Sequence, residues 1–112
     1  MKHKMKLNDK PYQRMKSGTK TIELRLNDKK RQLLNIGDLI EFTNIESSEK
    51  LVVEIKNLYH YPSFDELYKH FNKISIGYTE EEVADPKDMN NYYSSEEQEK
   101  YGVLGIEIKI IK

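Results

Sequence analysis

The run Gly18-Thr19-Lys20-Thr21-Ile22-Glu23-Leu24-Arg25 gathers an ammonium, a carboxylate, a guanidinium and two hydroxyls into one short stretch. A guanidinium is a rigid, permanently charged fork that grips phosphate or a base edge. An ammonium is a mobile point charge, and a carboxylate accepts from an exocyclic amino group. These are parts suited to holding a nucleotide; they are also what a solvated strand carries when its charges pair with neighbours across a sheet. Ile22, Leu24 and Leu26 alternate strictly, which predicts a strand over 20–26 with one apolar face and with Thr21, Glu23 and Arg25 on the other. Lys20 and Glu23 are three apart, so a regular strand would send them to opposite faces. For both to reach one cleft, Lys20 must lie in the turn leaving Gly18, or beside a bulge.

Other side chains compete for a role. Tyr59 and Tyr61 flank His60 just before Pro62, where a strand ends, and aromatic rings at an open barrel end can stack on a base. The same rings also serve as ordinary packing. Tyr92 and Tyr93 precede Glu96 and Glu97, so residues 77–95 are a candidate lid over a cleft, although two glutamates there also suit the positive start of a helix. His3, His60 and His70 do not cluster at ligand spacing and there is no cysteine, so no metal site is expected. No glycine-rich phosphate loop or other cofactor motif is present, and no cofactor is expected.

The elements that must position these residues follow from turn and cap signals. Pro11 opens a short helix over about 11–17 that ends at Gly18. A helical turn through Leu33 and Leu34, a tight turn at Asn35 to Asp38 and a strand over 39–45 come next. "SSEK" reads as a hairpin loop before a strand over 51–61. Ser63 with Glu66 opens a helix over 64–72. Thr79 with Glu82 and Ser94 with Glu97 repeat that box, predicting two more short helices around "DPKDMNNYY", before a closing strand "GVLGIEIKII".

With 112 residues the chain is expected to be one domain, 1–112, with a modest core. The absence of cysteine argues against a secreted disulfide scaffold, no apolar run approaches a membrane span, and the start "MKHKMKLND" lacks a signal-peptide core, so a cytoplasmic location is expected. Nineteen basic residues balance nineteen acidic ones, yet residues 1–36 hold eleven Lys and Arg against three Asp and Glu. Placed on one side of the fold, that segment would attract phosphate despite the neutral total.

The spacing Gly18-x-Lys20-x-x-Glu23-x-Arg25 resembles the GxKxxExR signature of ASCH domains, a branch of the PUA-like superfamily. The helix ending at the glycine, the "NIGDLIEF" turn and strand and the closing "YGVLGIEI" strand are similar to the layout of small bacterial members, so the resemblance covers nearly the whole chain. It implies an α+β fold, a small PUA-like mixed β-barrel flanked by short helices. The signature would line a cleft for RNA or a nucleotide or nucleoside ligand, through Gly18, Lys20, Glu23 and Arg25, with Tyr59, Tyr61 and Tyr93 as further contacts. An alternative is amidohydrolysis, because some compact relatives resemble enzymes that remove the acetyl group of N4-acetylcytidine with a Lys and a Thr of this motif. Lys20, Glu23 and Thr21 would then be catalytic, but Glu23 stands where those enzymes carry the threonine. A threonine nucleophile needs an adjoining base, and Glu23 acting on water is the other option. A third reading, a barrel edge that docks a protein, finds no apolar patch in the sequence to favour it.

Overall fold

The basic start of the chain alternates: Lys2, Lys4 and Lys6 are exposed, while Met5 and Leu7 are buried. That period of two makes it a strand, β1 (Lys2–Leu7). No element is expected there from the sequence, since only two apolar positions, Met5 and Leu7, mark the alternation. Helix α1 (Asp9–Lys16) follows, with Pro11 inside the first turn, where a missing N–H is tolerated, and Tyr12 and Met15 buried. It starts two residues earlier than expected. Strand β2 (Ile22–Leu26) is shorter than expected, leaving Lys20 and Thr21 outside regular pairing.

A 3-10 turn at Arg31–Leu33 leads to the hairpin of β3 (Leu39–Asn44) and β4 (Lys50–Tyr61). Helix α2 (Phe64–His70) follows, with the Ser63 hydroxyl accepting from the Glu66 N–H, and it ends two residues sooner than expected. Thr79 and Glu82 make only a single turn: the Glu82 carboxylate accepts from the Thr79 N–H at 2.8 Å, but no helix grows from it. The stretch read as a polar loop instead holds a 3-10 helix, Pro86–Asn91. Helix α3 (Ser95–Tyr101) has the full reciprocal box of Ser94 and Glu97, so Glu97 acts at the helix start. Strand β5 (Val103–Ile110) closes the fold. The structure, a computed structural model, describes residues 1–111.

The five strands form one sheet in the order β1-β3-β4-β5-β2, parallel only between β1 and β3. The sheet curls into a half-barrel with β1 and β2 as its two edges, the mixed α+β architecture expected from the sequence. One core fills the inner face, where Ile40, Phe42, Val53, Ile55, Leu104 and Ile106 meet Tyr12 and Met15 of α1. A second lies on the outer face, where Ile22, Leu24 and Val103 meet Phe64 and Leu67 of α2. Gly105 lies against that packing, where a Cβ would make ordinary contact with Ile22 Cγ2 at 3.4 Å and Leu67 Cδ1 at 3.5 Å.

Candidate functional site

Register decides where the polar row of β2 points. Glu23 is opposite Ile106 and Arg25 opposite Leu104, and cross-strand partners share a face. Ile106 and Leu104 belong to the inner core, so Glu23 and Arg25 look into the half-barrel, at the opening between its two edges. Lys20 reaches them because it precedes the strand, in the turn after Gly18, whose φ of +91° suits glycine. Of the two routes open to the sequence, the turn is the one used.

The three charges interlock. Glu23 Oε2 accepts from Arg25 Nε at 2.5 Å, and Glu23 Oε1 lies 3.2 Å from Lys20 Nζ. Lys20 Nζ also donates to the carbonyls of Ile22 at 2.8 Å and Ile76 at 3.3 Å, so each of its hydrogens has an acceptor. Lys20 and Glu23 are each only 4% exposed. Burial opposes ionisation of Glu23, but Arg25 and Lys20 beside it outweigh that cost and hold its carboxyl below the usual carboxylate range. Arg25 Nη2 donates to the Lys6 carbonyl at 2.8 Å, tying β2 to β1 across the gap between the sheet's edges.

The segment after α2 covers this cluster. Ser75 O accepts from the N–H groups of Thr21 and Ile22, Ile76 O holds Lys20, and Gly77 O accepts from Arg14 Nη1 at 2.6 Å. At Gly77 φ is +115° and a Cβ would come within 3.3 Å of Lys20 Cδ. Above the cluster is a cavity of about 440 Å³, the size range of small-molecule sites. Lys6, Lys10 and Arg14 form one wall, from β1 and α1. The rest of the lining includes Tyr68 of α2 with Tyr78, Met89, Tyr92 and Tyr93 of the insert. Tyr68 and Tyr78 share a hydroxyl–hydroxyl bond of 2.9 Å, and Tyr78 donates to Asp88 at 2.7 Å. Burial, with these two partners, pushes the Tyr78 hydroxyl far above its ordinary range.

Of the residues singled out from the sequence, Lys20, Glu23, Arg25 and Tyr93 line this cavity. Gly18 shapes the turn from outside it. Thr21 also lies outside, its carbonyl accepting from Ile108 N–H and its own N–H donating to Ser75. Tyr59 and Tyr61 are elsewhere: Tyr59 donates to Glu107 at 2.7 Å and packs edge-on against Phe71, and Tyr61 stacks on His70. A bulge at Lys56 is responsible. Beyond it, Tyr59 and Tyr61 pair with Gly105 and Val103 and so face the outer core, away from Glu23 and Arg25. The cationic wall of Lys6, Lys10 and Arg14, and Tyr68 and Tyr78 in the rest of the lining, escaped residue-level reading. The basic excess of residues 1–36 was their only trace. Among the described residues no cluster of His, Asp and Glu could hold a metal ion, and no helix is long and apolar enough to cross a membrane.

A curled five-stranded half-barrel flanked by short helices is the architecture of the PUA-like class. The ASCH domain profile matches residues 5–112, and the chain belongs to that family. Among solved structures it is similar to the hypothetical protein PH0355, at 32% identity, 99% coverage of this chain and 100% of the other, with a TM-score of 0.84. It is also similar to protein PF0455 from Pyrococcus furiosus, at 29% identity over 100% of this chain and 99% of the other, with a TM-score of 0.76. An ASCH protein from Zymomonas mobilis shares the fold at 11% identity, covering 96% of this chain and 66% of the other, with a TM-score of 0.66. No curated protein matches the chain significantly.

Proposed function

We propose that this protein binds a nucleotide, free or as one residue of an RNA, in the cavity above Lys20, Glu23 and Arg25. The observation that carries this reading is the cavity's lining, which combines cations of β1 and α1 with tyrosines of α2 and the insert. Lys6 and Lys10 are exposed and have no ion-pair partner among the described residues. They supply unspent positive charge for a phosphate, while the tyrosines offer faces for a base. Five cations against three carboxylates line the space, which favours an anionic ligand. Membership of the ASCH family in the PUA-like superfamily supports the same ligand class.

In this reading the signature residues build the floor rather than grip the phosphate. Arg25 spends Nε on Glu23 and Nη2 on the Lys6 carbonyl, and Lys20 spends all its hydrogens. The phosphate contacts fall instead to Lys6 and Lys10, since Arg14 is held by the Gly77 carbonyl and Glu82. Nothing in the arrangement favours hydrolysis: no serine or threonine hydroxyl lines the cavity, and a carboxylate held ionised by two cations is a weak base.

Titration calorimetry with ribonucleoside monophosphates and short single-stranded RNAs, at low and at physiological salt, tests the proposal. Binding that weakens with salt, and weakens roughly tenfold in Lys6→Ala/Lys10→Ala with the fold intact, is the expected result. Absence of binding by every mononucleotide and RNA at low salt overturns it, as does release of cytidine from N4-acetylcytidine by the wild type but not by Lys20→Ala.

A further inference from the structure

Beside the main cavity runs a second hollow, a groove of about 410 Å³ bounded by Asp9, Ile45, Glu46 and Tyr92. The two spaces adjoin, since Asn8, Lys10, Pro11 and Tyr92 line both and so form a common edge. Two large side chains stand out of the surface there, Tyr92 at 61% exposure and Ile45 at 57%. Neither belongs to the inner or the outer core. Ile45 lies in the β3–β4 turn and Tyr92 just after the 3-10 helix Pro86–Asn91, so a ring and a branched chain from distant parts of the sequence flank one shallow space.

We infer that this groove is a second subsite, holding the nucleoside adjacent to the one in the main cavity, so that the ligand is a single-stranded oligonucleotide rather than a lone nucleotide. The inference rests on the nucleotide-binding reading of the main cavity. Charge placement selects the occupant. The one cation of the groove, Lys10, sits on the shared edge, where the phosphodiester joining two nucleosides would pass. The groove itself carries two carboxylates, Asp9 and Glu46. They disfavour a phosphate there and leave acceptors for the amino and hydroxyl groups of a nucleoside. Asp9 already accepts from Asn44 at 2.9 Å and Gln13 at 3.2 Å, which fixes it in place and leaves Glu46 the adaptable acceptor. Tyr92, in contact with both spaces, gives the second base an apolar face on which to rest.

The test compares each dinucleoside monophosphate NpN with the better-bound of the 3′- and 5′-mononucleotides of the same base, by titration calorimetry on the full chain. For at least one base the dinucleotide should bind roughly tenfold tighter, the scale of one stacked base. Ile45 touches only the groove, so Ile45→Ser should shrink that ratio while leaving mononucleotide affinity unchanged, and Ile45→Trp should enlarge it. Equal affinity of NpN and mononucleotide for all four bases overturns the subsite while leaving the main-cavity reading intact. A tenfold advantage that neither Ile45 variant changes also overturns it. If mononucleotide and dinucleotide alike fail to bind, the main-cavity reading falls and the subsite with it.

Discussion

The floor and the wall of the cavity are built from the same kinds of side chain and do opposite things. On the floor, Lys20 and Glu23 are buried and engaged with one another and with backbone carbonyls, and the half-buried Arg25 spends Nε on Glu23 and Nη2 on the Lys6 carbonyl. On the wall, Lys6 and Lys10 stand in solvent without ion-pair partners among the described residues. A buried charge is held by what surrounds it, so its removal damages the structure first. A solvated charge is available to a ligand, and its removal costs the fold little. If the proposed site is right, the signature marks its platform and the contacts to ligand come from residues outside it.

The contrast can be broken most severely at Glu23. Glu23→Gln keeps the shape but leaves Lys20 buried, and Arg25 half-buried, without a counter-charge, and should lower unfolding free energy by about 3–5 kcal/mol in a urea titration. A loss below about 1 kcal/mol would mean that the cluster is solvated. Acid sharpens the same point. Because the Glu23 carboxyl is held below its ordinary value of 4.5, its contribution is fully present above that value and is lost as pH falls through the lower, folded one. Melting temperature should therefore drop steeply below about pH 4.5 in the wild type, and less steeply in Glu23→Gln.

Next in size is Gly77→Ala, which forces a side chain into a positive-φ position 3.3 Å from Lys20 Cδ; a loss of about 1–2 kcal/mol is expected by the same titration. The smallest effect on stability belongs to the wall. Lys6→Ala and Lys10→Ala should each stay within about 0.5 kcal/mol of wild type. Each should also flatten the salt dependence of single-stranded RNA binding by about 0.7 in log–log slope. If the wall variants destabilise as much as Glu23→Gln, the division between floor and wall is wrong.

Much of the frame was legible because it depends on local signals. Alternation marked β2, cap residues marked α2 and α3, and the three-residue offset of Lys20 and Glu23 left a turn or a bulge as the routes to one cleft, of which the structure uses the turn. Three features were hidden for identifiable reasons. The lysines of β1 masked an edge strand whose apolar positions, Met5 and Leu7, are only two; such lysines are how edges avoid pairing with other chains. The bulge at Lys56 has no composition of its own, yet one extra residue exchanges the faces of everything beyond it, which is why Tyr59 and Tyr61 lie away from the cavity. The cavity lining joins Lys10 to Tyr78 and Tyr92, residues far apart in sequence that only the tertiary fold brings together.

The reach of the covering segment also bears on the order in which the protein assembles. Arg14 meets Gly77 across 63 positions of chain and Lys20 meets Ile76 across 56, whereas the β3–β4 hairpin closes over a short turn. Long closures are entropically slow, so the hairpin can form early and the cover must come late. Until it does, Lys20 and Glu23 remain hydrated, and the cost of dehydrating their charges is deferred until the cover closes. A ligand that needs the finished cavity binds only the closed form, so it should slow unfolding more than it speeds folding.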